Sequence, residues 1–211
     1  YCLTVGDAVR WFRDEFAQAE LALQAQSGAP SAYAQLDKLA ARVPPGSEGI
    51  ILLPYLLGQR SPVFDPYASG VFFGIKKAHT RGHIYRAILE SFGFSIRHGL
   101  ESFYPHGHSL TRLVATGGGA RSPLWRQIVS DISGLRQEYI PDSDGPLGCA
   151  YMGGLALGWF KDFEILKSEW VKVSSVTEPN PETRHQYEHA YRIYAELHTA
   201  LKPIFLKSAM E

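Results

Sequence analysis

Residues 110–133 read LTRLVATGGGARSPLWRQIVSDIS and join a strand, a glycine loop and a helix in one segment. Residues 110–115 predict the strand, and three consecutive glycines follow it. Ser122 suits the N-cap of the helix and Pro123 its first position, and Gly134 is expected to end it. A strand that runs through a tight loop into a helix is typical of α/β folds.

The run Gly117–Gly119 favours a ligand site and equally fits a turn that needs positive φ. Glycines let the backbone pass close to a ligand, and a helix start offers free N–H groups that suit a phosphate or a sugar edge. The spacing matches neither the GxGxxG dinucleotide pattern nor the P-loop. The residues alone therefore indicate a glycine-lined pocket for a nucleotide.

Hydrophobic spacing places further helices and strands along the chain, which together predict an α/β domain with a mixed sheet flanked by helices. The predicted helices span residues 5–23, 31–42, 80–104 and 145–160, with a last one from 180 onwards, and the predicted strands span 49–55, 71–75 and 136–141.

The composition excludes several classes of protein. Lys+Arg and Asp+Glu both number 21, so zero net charge argues against nucleic-acid binding and a polybasic membrane anchor. The longest apolar run, residues 147–160, is too short for a membrane helix. Two cysteines predict a reducing, cytoplasmic setting. A first residue that is Tyr1 and not Met suggests a fragment of a longer protein.

Two histidine pairs invite a metal hypothesis. They are His79 with His83 and His106 with His108, but no carboxylate or cysteine completes a ligand set, so we expect solvated histidines at helix ends.

The acidic residues Asp65, Glu90 and Asp131 are scattered, which predicts helix-surface or loop-capping roles. The small residues of the predicted helix 145–160 indicate close packing against a sheet or a neighbouring helix, and its glycine-rich start could also wall a pocket.

Taken together, four segments resemble the carboxy-terminal domain of the FGGY carbohydrate kinases, which include xylulokinases, ribulokinases and glycerol kinases. The segments are 53–74 (with GQRSP and DPYASG), 79–90, 117–127 and 148–151, in the order of the family. Gln59 replaces the usual Glu, Ser69 the usual Arg, and Cys149 the usual Ala, while Asp144-Gly145-Pro146 stands where the family has Glu-Ala-Ala.

The resemblance implies an actin/hexokinase-like (ribonuclease H-like) fold that closes on ATP, Mg²⁺ and substrate. Residues 1–211 would be the carboxy-terminal nucleotide-binding domain, and the amino-terminal sugar-binding domain would be absent from this chain. By position, the residues implied to lie against the nucleotide are Gly6, Arg10, Gly117, Gly118, Gly119 and Ser122. Arg10 stands where glycerol kinases have a glutamine.

The implied activity is transfer of the ATP γ-phosphate to a hydroxyl of a sugar or polyol. The residues of the loop within segment 53–74 favour a pentulose. The phosphate loop, the sugar-binding residues and the catalytic Asp belong to the family's amino-terminal half, so this chain would hold no catalytic or metal-binding residue and would be inactive alone. A non-catalytic kinase-like domain that serves assembly or regulation is the alternative. A dinucleotide-binding oxidoreductase has the wrong glycine spacing.

The expected partner is a sugar or polyol bound through the missing domain, with no nucleic acid and no membrane. A homodimer through the Tyr-rich last helix stays open, although the expected role of that helix is to cover the sheet.

Overall fold

The computed structural model describes residues 5–103, 110–141, 143 and 145–210. The helices in this part of the chain are α1 (Val5–Phe16), α2 (Gln18–Gln24), α3 (Ala32–Ala40), α4 (Arg81–Glu101), α5 (Pro123–Ser133), α6 (Gly145–Ala156) and α7 (Arg184–Ser208). The strands are β1 (Ile51–Leu53), β2 (Val71–Phe73), β3 (Arg112–Ala115), β4 (Arg136–Tyr139) and β5 (Ser175–Thr177).

The strands form two small sheets. β1 pairs antiparallel with β2, whereas β3 runs parallel to β4 and β4 runs antiparallel to β5. The predicted mixed sheet flanked by helices is therefore confirmed, in the order β3-β4-β5. β5 was not predicted, because a three-residue strand is too short to show a period.

Helix α4 is the centre of the packing and contacts α1, α3, α5 and α7. The Phe94 ring on α4 is buried against α7, with ring centroids 6.3 Å from Tyr187, 6.2 Å from Tyr191 and 5.4 Å from Tyr194. The tyrosine face of α7 thus covers a helix as well as strand β1, a wider role than the predicted covering of the sheet.

The single helix predicted over residues 5–23 is wrong, because the chain breaks at Ala17. The Arg81 guanidinium at the start of α4 occupies the break. It donates to the Phe16 carbonyl at 3.0 Å and to both carboxylate oxygens of Glu20 at 3.1 Å. These bonds satisfy the freed carbonyl at the end of α1 and stabilise two short helices in place of one.

Helix α6 ends at Ala156 and not at the predicted Phe160. Gly158 adopts φ +75°, which reverses the chain, and the Phe160 ring stacks on Tyr151 at 4.3 Å. A Cβ on Gly154 would lie 2.5 Å from that ring. The close packing of a small residue is therefore found at Gly154, but against a ring from the following loop and not against the predicted sheet or neighbouring helix. The glycines of α6 that have no atom within 4 Å of an added Cβ are Gly145, Gly148 and Gly153.

Glu90 is fully buried and therefore has no helix-surface role, but it does cap a loop, since its carboxylate accepts from the backbone N–H of Gly46. Its carboxylate accepts hydrogen bonds from Arg86 Nε at 2.7 Å, Ser47 Oγ at 2.7 Å and Gly46 N at 3.0 Å. Arg86 Nη2 also donates to the Tyr187 hydroxyl at 2.8 Å. The buried cation four residues before Glu90 offsets the cost of burying the carboxylate.

Asp65 and Asp131 cap loops, as predicted. Asp65 accepts from Tyr67 N at 3.1 Å, and Asp131 accepts from Asn180 N at 2.8 Å. Among the residues that the structure describes, no helix is both long and apolar enough to cross a bilayer.

Candidate functional site

The predicted strand, loop and helix are present at residues 112–133. β3 is followed by Gly117 in a left-handed conformation, φ +80°, and by a 3-10 turn over Gly119–Arg121. Ser122 is the N-cap of α5, because its Oγ accepts a hydrogen bond from Trp125 N at 3.0 Å. The local chemistry of the sequence therefore sets where the loop ends and the helix begins.

Each glycine of the loop has a different physical requirement. Gly117 needs its positive φ. Gly119 needs space, since a Cβ there would lie 2.3 Å from Cζ3 of Trp125. Gly118 has helical dihedrals, φ −61° and ψ −46°, and no atom within 4 Å of an added Cβ. The turn therefore accounts for Gly117 and packing accounts for Gly119, while Gly118 faces open space.

Trp125 anchors the start of α5 to α4. Its Nε1–H donates to the Leu89 carbonyl at 3.0 Å, and its ring lies edge-to-face on Phe92 with centroids 5.2 Å apart. Since the ring also lies under Gly119, the glycine loop is fixed relative to the central helix.

A cleft of about 360 Å³ opens beside the loop. Gly6 at the start of α1 and Gly119 of the loop both border it. Its apolar walls come from α4, β3 and α5, and they are formed by Phe92, Ile96, Leu113, Trp125 and Val129. The structure thus brings two of the predicted site residues, from distant parts of the chain, to one concave surface.

Arg10 does not line this cleft. Its side chain is 64% exposed and its nearest ionic partner is Asp7, at 3.5 Å on the same helix. Gly117, Gly118 and Ser122 do not line the cleft themselves, although they belong to the loop that borders it.

One acidic residue near the loop, Asp37 on α3, could not be recognised from the sequence. Burial raises the pKa of Asp37 above its ordinary value, and the hydrogen bonds from Ser122 and Tyr85 oppose that rise. Burial, followed by the charge of Asp37, raises the pKa of Tyr85. Asp37 lies in the middle of an amphipathic helix, so only the fold reveals its position.

Two polar side chains at the cleft, Gln137 and Arg126, were also not predicted from the sequence. Gln137 on β4 is buried and lines the cleft, and its Oε1 has no hydrogen-bond partner within the described residues. Arg126 lines the cleft and stacks over the Tyr139 ring at 4.3 Å. A buried, unpaired acceptor favours a bound donor or a water molecule at this point.

The histidines at the start of α4 have structural roles. His79 Nδ1 accepts from Lys76 N at 3.0 Å, and His83 Nδ1 accepts from Thr80 N at 3.1 Å. His83 is thus part of a helix cap, and its side chain is 14% exposed, less than the predicted solvated histidine. Within the ranges that the structure covers, no group of three His, Cys, Asp or Glu could hold a metal ion. The expectations for Cys2, the pair His106 and His108, Asp142 and Asp144 lie outside the described residues.

Comparison with known proteins identifies relatives along nearly the whole chain. A xylulose kinase of Staphylococcus epidermidis is 30% identical over 96% of this chain and 39% of its own length. A gluconokinase of Bacillus licheniformis is 32% identical over 93% of this chain and 38% of its own length. The chain thus spans about two fifths of the length of these relatives.

Solved structures give the same result. The crystal structure of xylulose kinase from Rhodospirillum rubrum matches 95% of this chain and 38% of that protein, with a TM-score of 0.76 and 31% identity. The ligand-bound xylulose kinase from Lactobacillus acidophilus matches 96% of this chain and 39% of that protein, with a TM-score of 0.80 and 25% identity. These likenesses confirm the predicted actin/hexokinase-like fold.

The family model for the C-terminal domain of the FGGY family of carbohydrate kinases matches residues 2–157, which hold all four sequence segments described above. The chain therefore belongs to the FGGY family of carbohydrate kinases.

Proposed function

We propose that residues 1–211 form the nucleotide-binding domain of a kinase that transfers the γ-phosphate of ATP to a hydroxyl of a sugar or polyol. The observation that carries this proposal is the loop 117–122, which opens at the start of α5 within a matched FGGY C-terminal domain. In this assignment the loop and the start of α1 bind the adenosine side of the nucleotide.

The geometry of the loop fits a nucleotide. Added Cβ atoms on Gly6 and Gly118 would meet nothing within 4 Å, so both positions leave room for a ligand. The first turn of α5 lies at the positive end of the helix dipole, which favours an anionic group.

Mg²⁺ accompanies ATP in this proposal, but the described residues do not fit a metal site, because they contain no group of three suitable ligands. We assign the Mg²⁺ ligands, the sugar site and the catalytic base to a part of the protein outside this chain. The isolated chain is then expected to bind nucleotide without catalysing transfer.

We propose a pentulose as the acceptor. Relatives at about 30% identity are named xylulose kinase, ribulokinase and gluconokinase, so gluconate is the competitor to test. The assay measures ADP release by the complete gene product with xylulose, ribulose, gluconate and glycerol. A higher kcat/KM for either pentulose supports the assignment, and a higher value for gluconate or glycerol contradicts it.

Nucleotide binding is tested by calorimetric titration of the chain with ADP and ATP in the presence of Mg²⁺, with NADH as the control. Saturable binding of the adenine nucleotides in preference to NADH is expected. Failure of both the chain and the complete gene product to bind them would favour the alternative, a non-catalytic kinase-like domain.

Gly118→Asp is expected to abolish this binding, because it adds bulk and negative charge where the phosphates approach. Gly118→Ala adds bulk alone and serves as the matched control. Both variants should keep the unfolding temperature of the parent, since the position is open. Unchanged affinity of Gly118→Asp for ADP would show that the loop is only a turn.

A further inference from the structure

Strand β3 lies at an open edge of its sheet. It pairs with β4 on one side, and no other strand of the described residues pairs with its second side. The Ala115 carbonyl accepts a hydrogen bond from Ile140 N at 3.0 Å, so the backbone groups of Ala115 face β4. Neighbouring residues of a strand direct these groups to opposite sides, so the N–H and C=O of Val114 face the open edge.

The cleft beside the glycine loop runs along this edge. Leu113 and Ala115 point to one face of the sheet, whereas Val114 and Thr116 point to the other. All four residues border the cleft, which therefore reaches both faces of β3 and the edge between them. A pocket on one face of the sheet would be lined by alternate residues of the strand only.

The walls of the cleft have the character of a protein core. They are formed by apolar side chains of α4, β3 and α5, and apolar side chains between a sheet and its covering helices normally pack against other side chains. An unpaired strand edge is likewise a template for a further strand. The edge and the walls together suit a β-strand, whose backbone pairs with Val114 while its side chains pack on the walls.

Two polar atoms at the cleft favour polypeptide over a purely apolar occupant. Gln137 Oε1 and Arg126 Nε are buried, and neither has a hydrogen-bond partner in the part of the chain that the structure describes. A lipid chain would leave both atoms unpaired, at a cost in free energy. A polypeptide segment carries donors and acceptors together with apolar side chains.

The position of α1 indicates where such a strand belongs in the sequence. Gly6, in the first turn of α1, borders the same cleft, so a segment that runs into α1 arrives beside β3. Consecutive elements of a chain are usually neighbours in space. The match to the Staphylococcus epidermidis xylulose kinase covers 39% of that protein, which leaves about three fifths of its length for other segments.

We infer that a β-strand from the part of the protein that precedes this chain pairs with the open edge of β3 and packs its side chains on the walls of the cleft. The occupant is thus a segment of the same polypeptide, and neither a second copy of the chain nor a small ligand. The inference does not depend on nucleotide binding, so it can fail while the proposed function stands.

Amide hydrogen exchange of the complete gene product tests the pairing. The N–H groups of Val114 and Ala115 are followed by NMR after isotope labelling of valine and alanine, and each is assigned by its loss in a substituted variant. Exchange at Val114 should be slowed at least about 100-fold relative to an unstructured peptide. The Ala115 N–H, which faces β4, is the internal control.

Two results of this experiment would overturn the inference. The first is exchange at Val114 near the rate of an unstructured peptide, while Ala115 is protected. The second is protection of Val114 that disappears on dilution, because it would assign the edge to a second copy.

A substitution in the cleft tests the packing of the strand. Ala115→Leu adds bulk on the side of β3 that faces the cleft, so it should lower the urea midpoint of the complete gene product, where it competes with the strand, and not that of residues 1–211 alone. Ala200→Leu, at an exposed position of α7, is the matched control and should leave both midpoints unchanged.

Equal effects of Ala115→Leu on the two proteins would contradict the inference. If residues 1–211 alone do not unfold cooperatively, the exchange at Val114 in the complete gene product decides.

Discussion

Gly119→Ala is expected to destabilise the chain, although it adds a single methyl group to an exposed loop. The new Cβ would lie 2.3 Å from Cζ3, 2.9 Å from Cε3 and 3.1 Å from Cη2 of Trp125. Ordinary carbon–carbon contacts need about 3.5–4.0 Å, so the ring or the loop must move by about 1 Å.

The Trp125 ring cannot move without weakening contacts that stabilise the fold. Trp125 is 8% exposed, and a shift would stretch its 3.0 Å hydrogen bond to the Leu89 carbonyl and its contact with Phe92. Overpacking of this kind costs about 1–3 kcal/mol. Gly118→Ala, one residue earlier, meets no atom within 4 Å and has helical dihedrals, so it should lie within about 0.5 kcal/mol of the parent.

The measurement is urea unfolding of the parent and both variants, followed by tryptophan fluorescence and circular dichroism. A free energy of unfolding for Gly119→Ala that is about 1–3 kcal/mol below that of Gly118→Ala is expected. Equal stability of the two variants would refute the reasoning, because it would show that Trp125 does not support the loop. The affinity for ADP should also fall in Gly119→Ala, since the displaced loop includes the N-cap of α5.

Two further predictions concern buried ionisable groups. Glu90→Gln should lower the free energy of unfolding by about 3–5 kcal/mol, since it leaves Arg86 buried without a counter-charge. The control Glu178→Gln, at an exposed ion pair, should lower it by at most about 1 kcal/mol. Similar losses for the two variants in urea unfolding would contradict this prediction. Burial lowers the pKa of His98 in the folded chain. The unfolded chain therefore binds a proton near pH 6.5 that the folded chain does not bind. The free energy of unfolding should consequently fall as the pH drops below about 6.5. His98→Gln should flatten that slope in unfolding curves recorded between pH 5 and 8, and an unaltered slope would disprove the assignment.

Local chemistry made the loop predictable from the sequence. Ser122, Pro123 and Gly134 act through their immediate neighbours, and the structure uses them as N-cap, first residue and left-handed C-cap of α5. The long helix α4 and the alternation of strands and helices follow from the same kind of short-range signal. These features were therefore predicted with nearly the right boundaries.

Contacts between distant residues account for what the sequence did not reveal. The break at Ala17 depends on Arg81, and the burial of Glu90 depends on the turn at Gly46 and Ser47. Neither relation has a period or a spacing that a linear pattern could show. The same holds for Asp37, since the groups that influence its pKa lie on α4 and at the start of α5.

The glycine loop packs against the protein at Gly119 and is open at Gly118. Its contribution to folding and its contribution to ligand binding therefore depend on different residues. Trp125, at the start of α5, is bonded to Leu89 of α4 and packs against Gly119, while an added Cβ on Gly118 would meet no atom within 4 Å. A loop that served only as a turn would need Gly117 for its φ and Gly119 for its packing, but it would give no reason for a glycine at 118. A ligand that approaches the backbone at Gly118 supplies that reason, and for this reason substitutions there should change affinity and leave folding intact.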